Sequence, residues 1–280
     1  MEIHHIKRCK PLLGTFVSVE VRATLSSRAL SAVCDEAFAE IKRIQRLMSF
    51  HDPDSELSFI NCNAAKRPCR VSSDMHRVIR TALTLSRISQ GHYDIAVGAH
   101  LVSSGRLPRH TGMAGGEDGG WQDIKLAAQQ IVFRRPLVLD LGGIAKGYAV
   151  DCAFHKIVNK VENLAINAGG DCRMKHWKNQ PVAIRASDPH GNPHRIQHVM
   201  KNSAVATSAD YYAQNTFIAP HTKQVVQTKH SATVFANTCM SADALTKVAL
   251  LHPMALTLFD EYGVEALTVD TNGRLGAMNR

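Results

Sequence analysis

The stretch LVLDLGGIAKGYAVD, Leu137 to Asp151, delivers an apolar run to two glycines, a lysine and a third glycine. Gly142 and Gly143 permit a tight bend, and a helix starting near Ile144 or Ala145 presents unpaired amides and partial positive charge. Lys146 adds a whole charge beside them. These are anion-binding elements, although a Gly-Gly turn also serves simply to pack a helix on a sheet. The spacing is neither the G-x-x-x-x-G-K-[ST] of a P-loop nor the G-x-G-x-x-G of a dinucleotide fold, so neither of those mechanisms is supported. Asn167, Gly169 and Gly170 form a second strand-end turn through which a ligand could approach main-chain amides. For Asp171, just after them, an ordinary surface charge is the competing reading. Thr207 and Ser208 supply hydroxyls and Asp210 a carboxylate, with helix capping as the other role open to Ser208.

The elements that must position these residues follow from periodicity. TFVSVEVRA alternates with period two and reads as a strand; from Ser27 to Met48, the residues Leu30, Val33, Ala37, Ile41, Ile44 and Met48 recur at helical spacing. Asp54 or Ser55 caps a short helix ELSFIN, and Ser72 or Ser73 opens a long helix that Gly91 closes. Strands are expected at IVFRRPLVLDL, LAINAG, PVAIRASD, HRIQHVMKNSAVATS and SATVFAN. Helices are expected at Ala145–Lys160, from about Met240 to Leu250, and at Pro253–Tyr262, before an Asn-Gly hairpin turn. Between Ser103 and Gly120 apolar residues are too few to pack, which predicts a mobile loop, hinge or lid over about 103–120.

Composition narrows the class. The chain has 280 residues, 45% of them apolar, and no run long enough to span a membrane, so a soluble globular protein is expected. The N-terminal stretch enters a strand pattern without the apolar block of a secretory signal, which predicts a cytoplasmic protein. Seven cysteines are scattered with no C-x-x-C pair, which reads as reduced thiols rather than a disulfide framework or zinc site. The formal charge of +9 suits an anionic partner, but no aromatic-interleaved basic stripe points to nucleic acid. A phosphate-bearing small molecule fits.

LDLGGIAKGYAVD closely resembles the signature of the ApbE family, the flavin transferases that move FMN from FAD onto a threonine or serine of a target protein. LLGTFVSVEV, MSFHDPDSELSFIN, GHYDIAVGAHL, AINAGGDCR, VATSADYY, SATVFANTCMSADALTKVAL and GVEALTVDTNGRL resemble further family blocks in the same order. The resemblance covers nearly the whole chain. It implies a mixed α/β, or α+β, T-fold-like architecture: one domain over 1–280, in two lobes, with FAD in the cleft between them and magnesium at the diphosphate. It also implies that Met48, Ser49 and Asp94 border or support the flavin, together with Gly142, Gly143, Lys146, Asn167, Gly169, Gly170, Thr207, Ser208 and Asp210. Asp94 also reads as a simple turn residue, and the acid-serine-glutamate cluster after Met48 reads first as helix capping.

The departures bear on activity. Family members carry, on the helix after the TCM block, an aspartate and a threonine four residues later that bind the metal. Here the aspartate is Asp243 and the fourth residue is Lys247, with Thr246 one place early. An ammonium is no ligand for a hard cation, and Lys247 stands at i,i+4 from Asp243, where it can pair with it in place of the ion. The remaining metal set is Asp243, Thr246 and a backbone carbonyl near Ala145, with Asp243, Thr246 and Lys146 as the catalytic group. In TFIAPHTKQ, Thr216 replaces the family's histidine, Ala219 an aspartate and Lys223 a glycine, and His51 stands for a tyrosine. Three readings stay open. One is a magnesium-dependent FMN transferase acting on an acceptor protein. Another is a flavin- or nucleotide-binding relative that has lost transfer or serves another cofactor pathway, and the third is a non-catalytic partner subunit.

Overall fold

A computed structural model describes residues 2–113, 115–187, 193–209, 217–228, 230–252, 259–260, 263–270, 272 and 274–277. In chain order it runs β1 (His4–Leu12), β2 (Thr15–Ala23), α1 (Ser27–Met48), α2 (Glu56–Asn63), β3 (Cys69–Arg70), α3 (Ser73–Ile88), α4 (Gly98–Ser103), β4 (Ile124–Ala127) and β5 (Gln130–Phe133). Next come α5 (Ala145–Ile157), β6 (Asn163–Ala168), β7 (Asp171–Met174), β8 (Pro181–Ser187), β9 (Pro193–Val199), β10 (Ala204–Ser208) and β11 (Phe217–Ile218). The chain ends with β12 (Val225–Val226), β13 (His230–Ala236), α6 (Cys239–Leu251), β14 (Glu265–Asp270) and β15 (Leu275–Ala277). The expected helix over 253–262 falls mostly outside the described residues. Two compact units emerge: Met1–Gln45 with Lys146–Ala209 and Thr228–Arg280, and Arg46–Ala145 with Asp210–Gln227.

Among the described residues the first unit is built on an eight-stranded sheet ordered β1-β2-β6-β7-β10-β13-β14-β15. Every neighbouring pair is antiparallel, which with separate helices is an α+β arrangement. Leu13 and Gly14, both at positive φ, make the two-residue corner between β1 and β2, whose twist matches the strands it joins. The apolar stripe of α1 is buried as its spacing predicts.

Register decides which side chains share a face of this sheet. Ala204 lies opposite Ala236, Ala206 opposite Val234 and Ser208 opposite Ala232, so these residues point one way. Val205 with Phe235, and Thr207 with Thr233, point the other way. Alanine and other small residues admit α6, which packs across β7, β10 and β13. The opposite face carries Cys172, Val205, Phe235, Leu267 and Val269 in one apolar cluster with Ile184 and Met200.

In the second unit β3, β5 and β4 form a small sheet and β11 pairs with β12. Ser55 caps α2 by accepting from the Ser58 amide, and the Glu56 carboxylate accepts from both the amide and the hydroxyl of Ser72, each at 2.6 Å. The acid-serine-glutamate cluster is therefore a capping device. Leu137–Leu141 is a correction: it is buried but joins no strand ladder. Asn61 takes its place as partner, donating to the Leu139 carbonyl at 2.9 Å and accepting from the Leu139 amide at 2.8 Å, while Asp140 and Val138 bond to Ile95 and Gly98. His110 Nε2 lies 2.6 Å from the Phe50 carbonyl, and a Cβ on Gly116 would stand 2.0 Å from the Pro136 carbonyl oxygen.

Candidate functional site

In the first unit, Arg173 of β7 stands opposite Ala204, so Asp171, two residues earlier on the same strand, also faces the helices. There the first turn of α5 brings Lys146, whose Nζ lies 2.6 Å from Asp171 Oδ2 and 3.4 Å from both carboxylate oxygens of Asp243 on α6. One turn beyond Asp243, Lys247 Nζ lies 2.5 Å from Asp243 Oδ1, 3.0 Å from Ser208 Oγ, and 3.1 Å from both Thr246 Oγ1 and the Asp243 carbonyl. The Gly147 amide donates to Asp243 Oδ2 at 3.1 Å. Asp243 and Thr246 are wholly buried and Asp171 nearly so; 33% of the Lys146 side chain stays exposed.

Two structural residues hold this cluster. A Cβ on Gly147 would stand 2.3 Å from the Cys239 carbonyl oxygen, so the third glycine of the opening motif lets α5 touch the start of α6. Asp151, one turn further along α5, accepts from the Cys239 and Met240 amides at 2.9 Å each and from Arg173 at 2.6 Å. That carboxylate satisfies two of the unpaired donors at the N-terminus of α6.

Burial and charge pull against each other here. Burial by itself would lower the Lys146 pKa, but the carboxylates of Asp171 and Asp243 outweigh it and hold the ammonium well above the ordinary lysine value. Burial raises Asp171, and the neighbouring Asp243 charge pushes it the same way, against the pull of Lys146. Burial acts on Asp243 too, yet Lys146 and Lys247 bring it below the ordinary carboxylate value. Two acids and two ammoniums thus form a nominally neutral network, with Lys146 the more exposed of the two cations.

The second unit holds a separate group around Asp94. Its carboxylate accepts from the Ala96 amide at 2.8 Å and the Trp121 amide at 3.2 Å, and Lys223 Nζ lies 3.7 Å away. Burial raises the Asp94 pKa, and these partners only partly offset it. Lys223 has φ of 57°, in the left-handed region that favours glycine, and its Nζ donates to the Gly119 carbonyl at 3.2 Å. His221 packs edge-on to His92 with ring centroids 4.4 Å apart.

The structure gathers Lys146, Asp243 and Thr246, and adds Ser208, which the sequence offered only as a cofactor contact or a helix cap. It does not bring Thr207 to them: strand alternation turns that hydroxyl to the other face, 2.9 Å from Thr233 Oγ1. Asn167 lies opposite Cys172 and so also points away, accepting from the Gly170 amide at 3.0 Å across the Gly169-Gly170 corner. Met48 closes α1, and the Ser49 carbonyl accepts from Ser55 Oγ at 2.7 Å. Gly142 and Gly143 lie outside the left-handed region, and the Gly142 amide is engaged by Asp140 at 3.1 Å. Ala145 belongs to the second unit, its amide donating to Leu141. Asp210 and Thr216 lie outside the described residues. Asp171 was missed: it is a buried ion-pair partner of Lys146, not a surface charge, and the one signal for it was its alternation with Arg173 in DCRM.

A divalent ion does not fit this donor set. Asp243 Oδ1 is taken by Lys247 and Oδ2 by Gly147 and Lys146. The Thr246 hydroxyl donates to the Asp243 carbonyl at 2.6 Å and stands 2.7 Å from Ser208 Oγ. A metal would have to enter beside an ammonium already placed among those oxygens. Among the described residues no group of three or more His, Cys, Asp or Glu side chains is placed to hold one, and no helix is long and apolar enough to cross a membrane.

Comparison with known proteins agrees with the fold. A FAD:protein FMN transferase of Vibrio cholerae is 26% identical over 264 residues, covering 84% of this chain and 78% of that protein. One of Chlamydia pneumoniae is 29% identical over 196 residues, which is 66% of this chain and little more than half, 56%, of that protein. The crystal structure of an ApbE protein from Thermotoga maritima superimposes with a TM-score of 0.81 at 25% identity, covering 98% of this chain and 97% of the other. The model of the ApbE family matches residues 13–268, and by that span the chain belongs to the ApbE family.

Proposed function

We propose that this chain takes FAD as substrate and passes its FMN half to a threonine or serine hydroxyl of an acceptor protein. The hydroxyl oxygen would form a bond to the flavin-side phosphorus and give up its proton to a base. The bond from that phosphorus to the bridging oxygen would break, and AMP would leave with that oxygen. The observation that carries the reading is Lys146, a cation fixed by Asp171 and Asp243 at the first turn of α5 yet one-third open to solvent. Such a pre-positioned charge suits a phosphate that gains negative charge as the bond breaks. Family membership and the names of the two relatives support the same reaction. Reduced, scattered cysteines suit a cytoplasmic setting.

A second reading, a flavin-nucleotide binder without transfer, is favoured by Ala219, which supplies no carboxylate to the β11–β12 hairpin. One assay separates the two. FAD is incubated with the protein and a threonine-containing acceptor, AMP is quantified by chromatography, and covalent flavin is read as in-gel fluorescence. AMP with fluorescent acceptor supports transfer; FAD retained on the protein without AMP supports the binder. Absence of both overturns the flavin reading.

A further inference from the structure

Lys247 occupies a position that geometry marks as a cation site. Its Nζ has four oxygens within 3.1 Å: a carboxylate oxygen of Asp243, the hydroxyls of Ser208 and Thr246, and the Asp243 carbonyl. An ammonium has three protons, so at least one of these contacts is shared or purely electrostatic, as around an ion. Carboxylate, hydroxyl and carbonyl oxygens are also the ligands a hard divalent cation takes. The site is built rather than incidental: Asp243 and Thr246 are wholly buried, and only 17% of the Lys247 side chain is exposed.

We propose that the oxygen cage around Asp243 is a cation site filled from within by Lys247, so that this chain needs no divalent metal there. Several features of the cluster point the same way. The carboxylates of Asp171 and Asp243 already balance the ammoniums of Lys146 and Lys247, so a divalent ion would leave two uncompensated positive charges in a buried place. The helix fixes the pairing, since Lys247 follows Asp243 at i,i+4 on α6. The second oxygen of Asp243 offers no vacancy, being held by the Gly147 amide and Lys146. Under the flavin reading above, on which only this last step rests, Lys146 and Lys247 together take the place of lysine plus metal opposite a diphosphate.

Manganese tests the cage without any flavin. Mn²⁺ is titrated into the wild-type protein and into the Lys247→Thr and Lys247→Met variants, and free Mn²⁺ is followed by its electron paramagnetic resonance signal. Wild type is expected to show no stoichiometric site. Lys247→Thr, which removes the ammonium and adds a hydroxyl at the same helical position, is expected to gain one site, with Mn²⁺ affinity tightened at least about tenfold. Lys247→Met, which removes the charge alone, is expected to gain a weaker one. A one-to-one Mn²⁺ site in the wild-type protein overturns the proposal, and this arm needs no variant to fold. So does a Lys247→Thr protein that melts cooperatively yet gains no site. Because FAD is absent throughout, a failure here is distinct from a failure of the flavin reading.

Discussion

Replacing Asp243 by asparagine keeps the shape of the side chain and removes the charge on which two ammoniums converge. Asp243 is wholly buried, and its oxygens meet Lys247 at 2.5 Å, the Gly147 amide at 3.1 Å and Lys146 at 3.4 Å. Removing one partner of a buried ion pair costs about 3–5 kcal/mol because the other charge is left uncompensated. Lys146 keeps Asp171, and the two lysine side chains are 33% and 17% exposed, so the lower end, about 3 kcal/mol, is expected. Lys247→Met leaves Asp243 with Lys146 and Gly147 and should cost less, about 1–2 kcal/mol. In the double variant neither charge lacks its partner, so the combined loss should fall short of the sum by about 1–2 kcal/mol. The chain has two tryptophans, Trp121 and Trp177, and Trp177 packs beside the apolar cluster of the first unit. Urea unfolding followed by Trp177 fluorescence in a Trp121→Phe background therefore reads this unit. An Asp243→Asn transition within about 0.5 kcal/mol of the parent, or strictly additive losses in the cycle, would refute the reasoning.

Other expectations follow from single contacts. Lys223→Gly relieves a left-handed φ of 57° that Lys223→Ala retains, so in thermal or urea unfolding the glycine variant should be the more stable by about 1 kcal/mol; equal stability would contradict strain at that corner. Gly147→Ala places a methyl 2.3 Å from the Cys239 carbonyl oxygen and should destabilise by about 1–3 kcal/mol, whereas an unchanged melting curve would mean that α5 and α6 can part freely. Burial holds His230 below its ordinary value of 6.5, so the unfolded chain binds that proton more tightly. Its contribution to stability is complete above pH 6.5 and is lost as the pH falls through the lower folded value. His230→Gln should flatten the stability profile on the acid side of that point; a profile identical to wild type would contradict it.

Local patterns carried much of the fold. β2 and α1 lie where their periodicity puts them because each buries a stripe that its own sequence defines. Ser55 and Ser72 mark helix starts because capping depends on residues a turn apart, whereas at the end of α3 Ser89 is the cap and Gln90, at φ of 52°, takes the left-handed position ahead of Gly91. Leu137–Leu141 misled, since a buried apolar run satisfied by the amide side chain of Asn61 reads the same as one satisfied by a strand. At the site, the Asp243–Lys247 pairing was legible from i,i+4 spacing. The addition of Asp171 and Ser208 was not, because it depends on how β7 and β10 are registered in the sheet, a non-local matter that leaves only an alternation of polar residues in the sequence. Lys223 was visible as an exchange for glycine, but its hold on Asp94 was not.

The central claim is that the ammoniums of Lys146 and Lys247 supply the positive charge that a nucleotide diphosphate meets, without a divalent ion. Quenching of flavin fluorescence, titrated with FAD in excess chelator and again in excess magnesium, tests it most directly. The account predicts the same dissociation constant in both, within about twofold, a difference of about 0.4 kcal/mol. Binding that vanishes with chelator and returns with magnesium would contradict it.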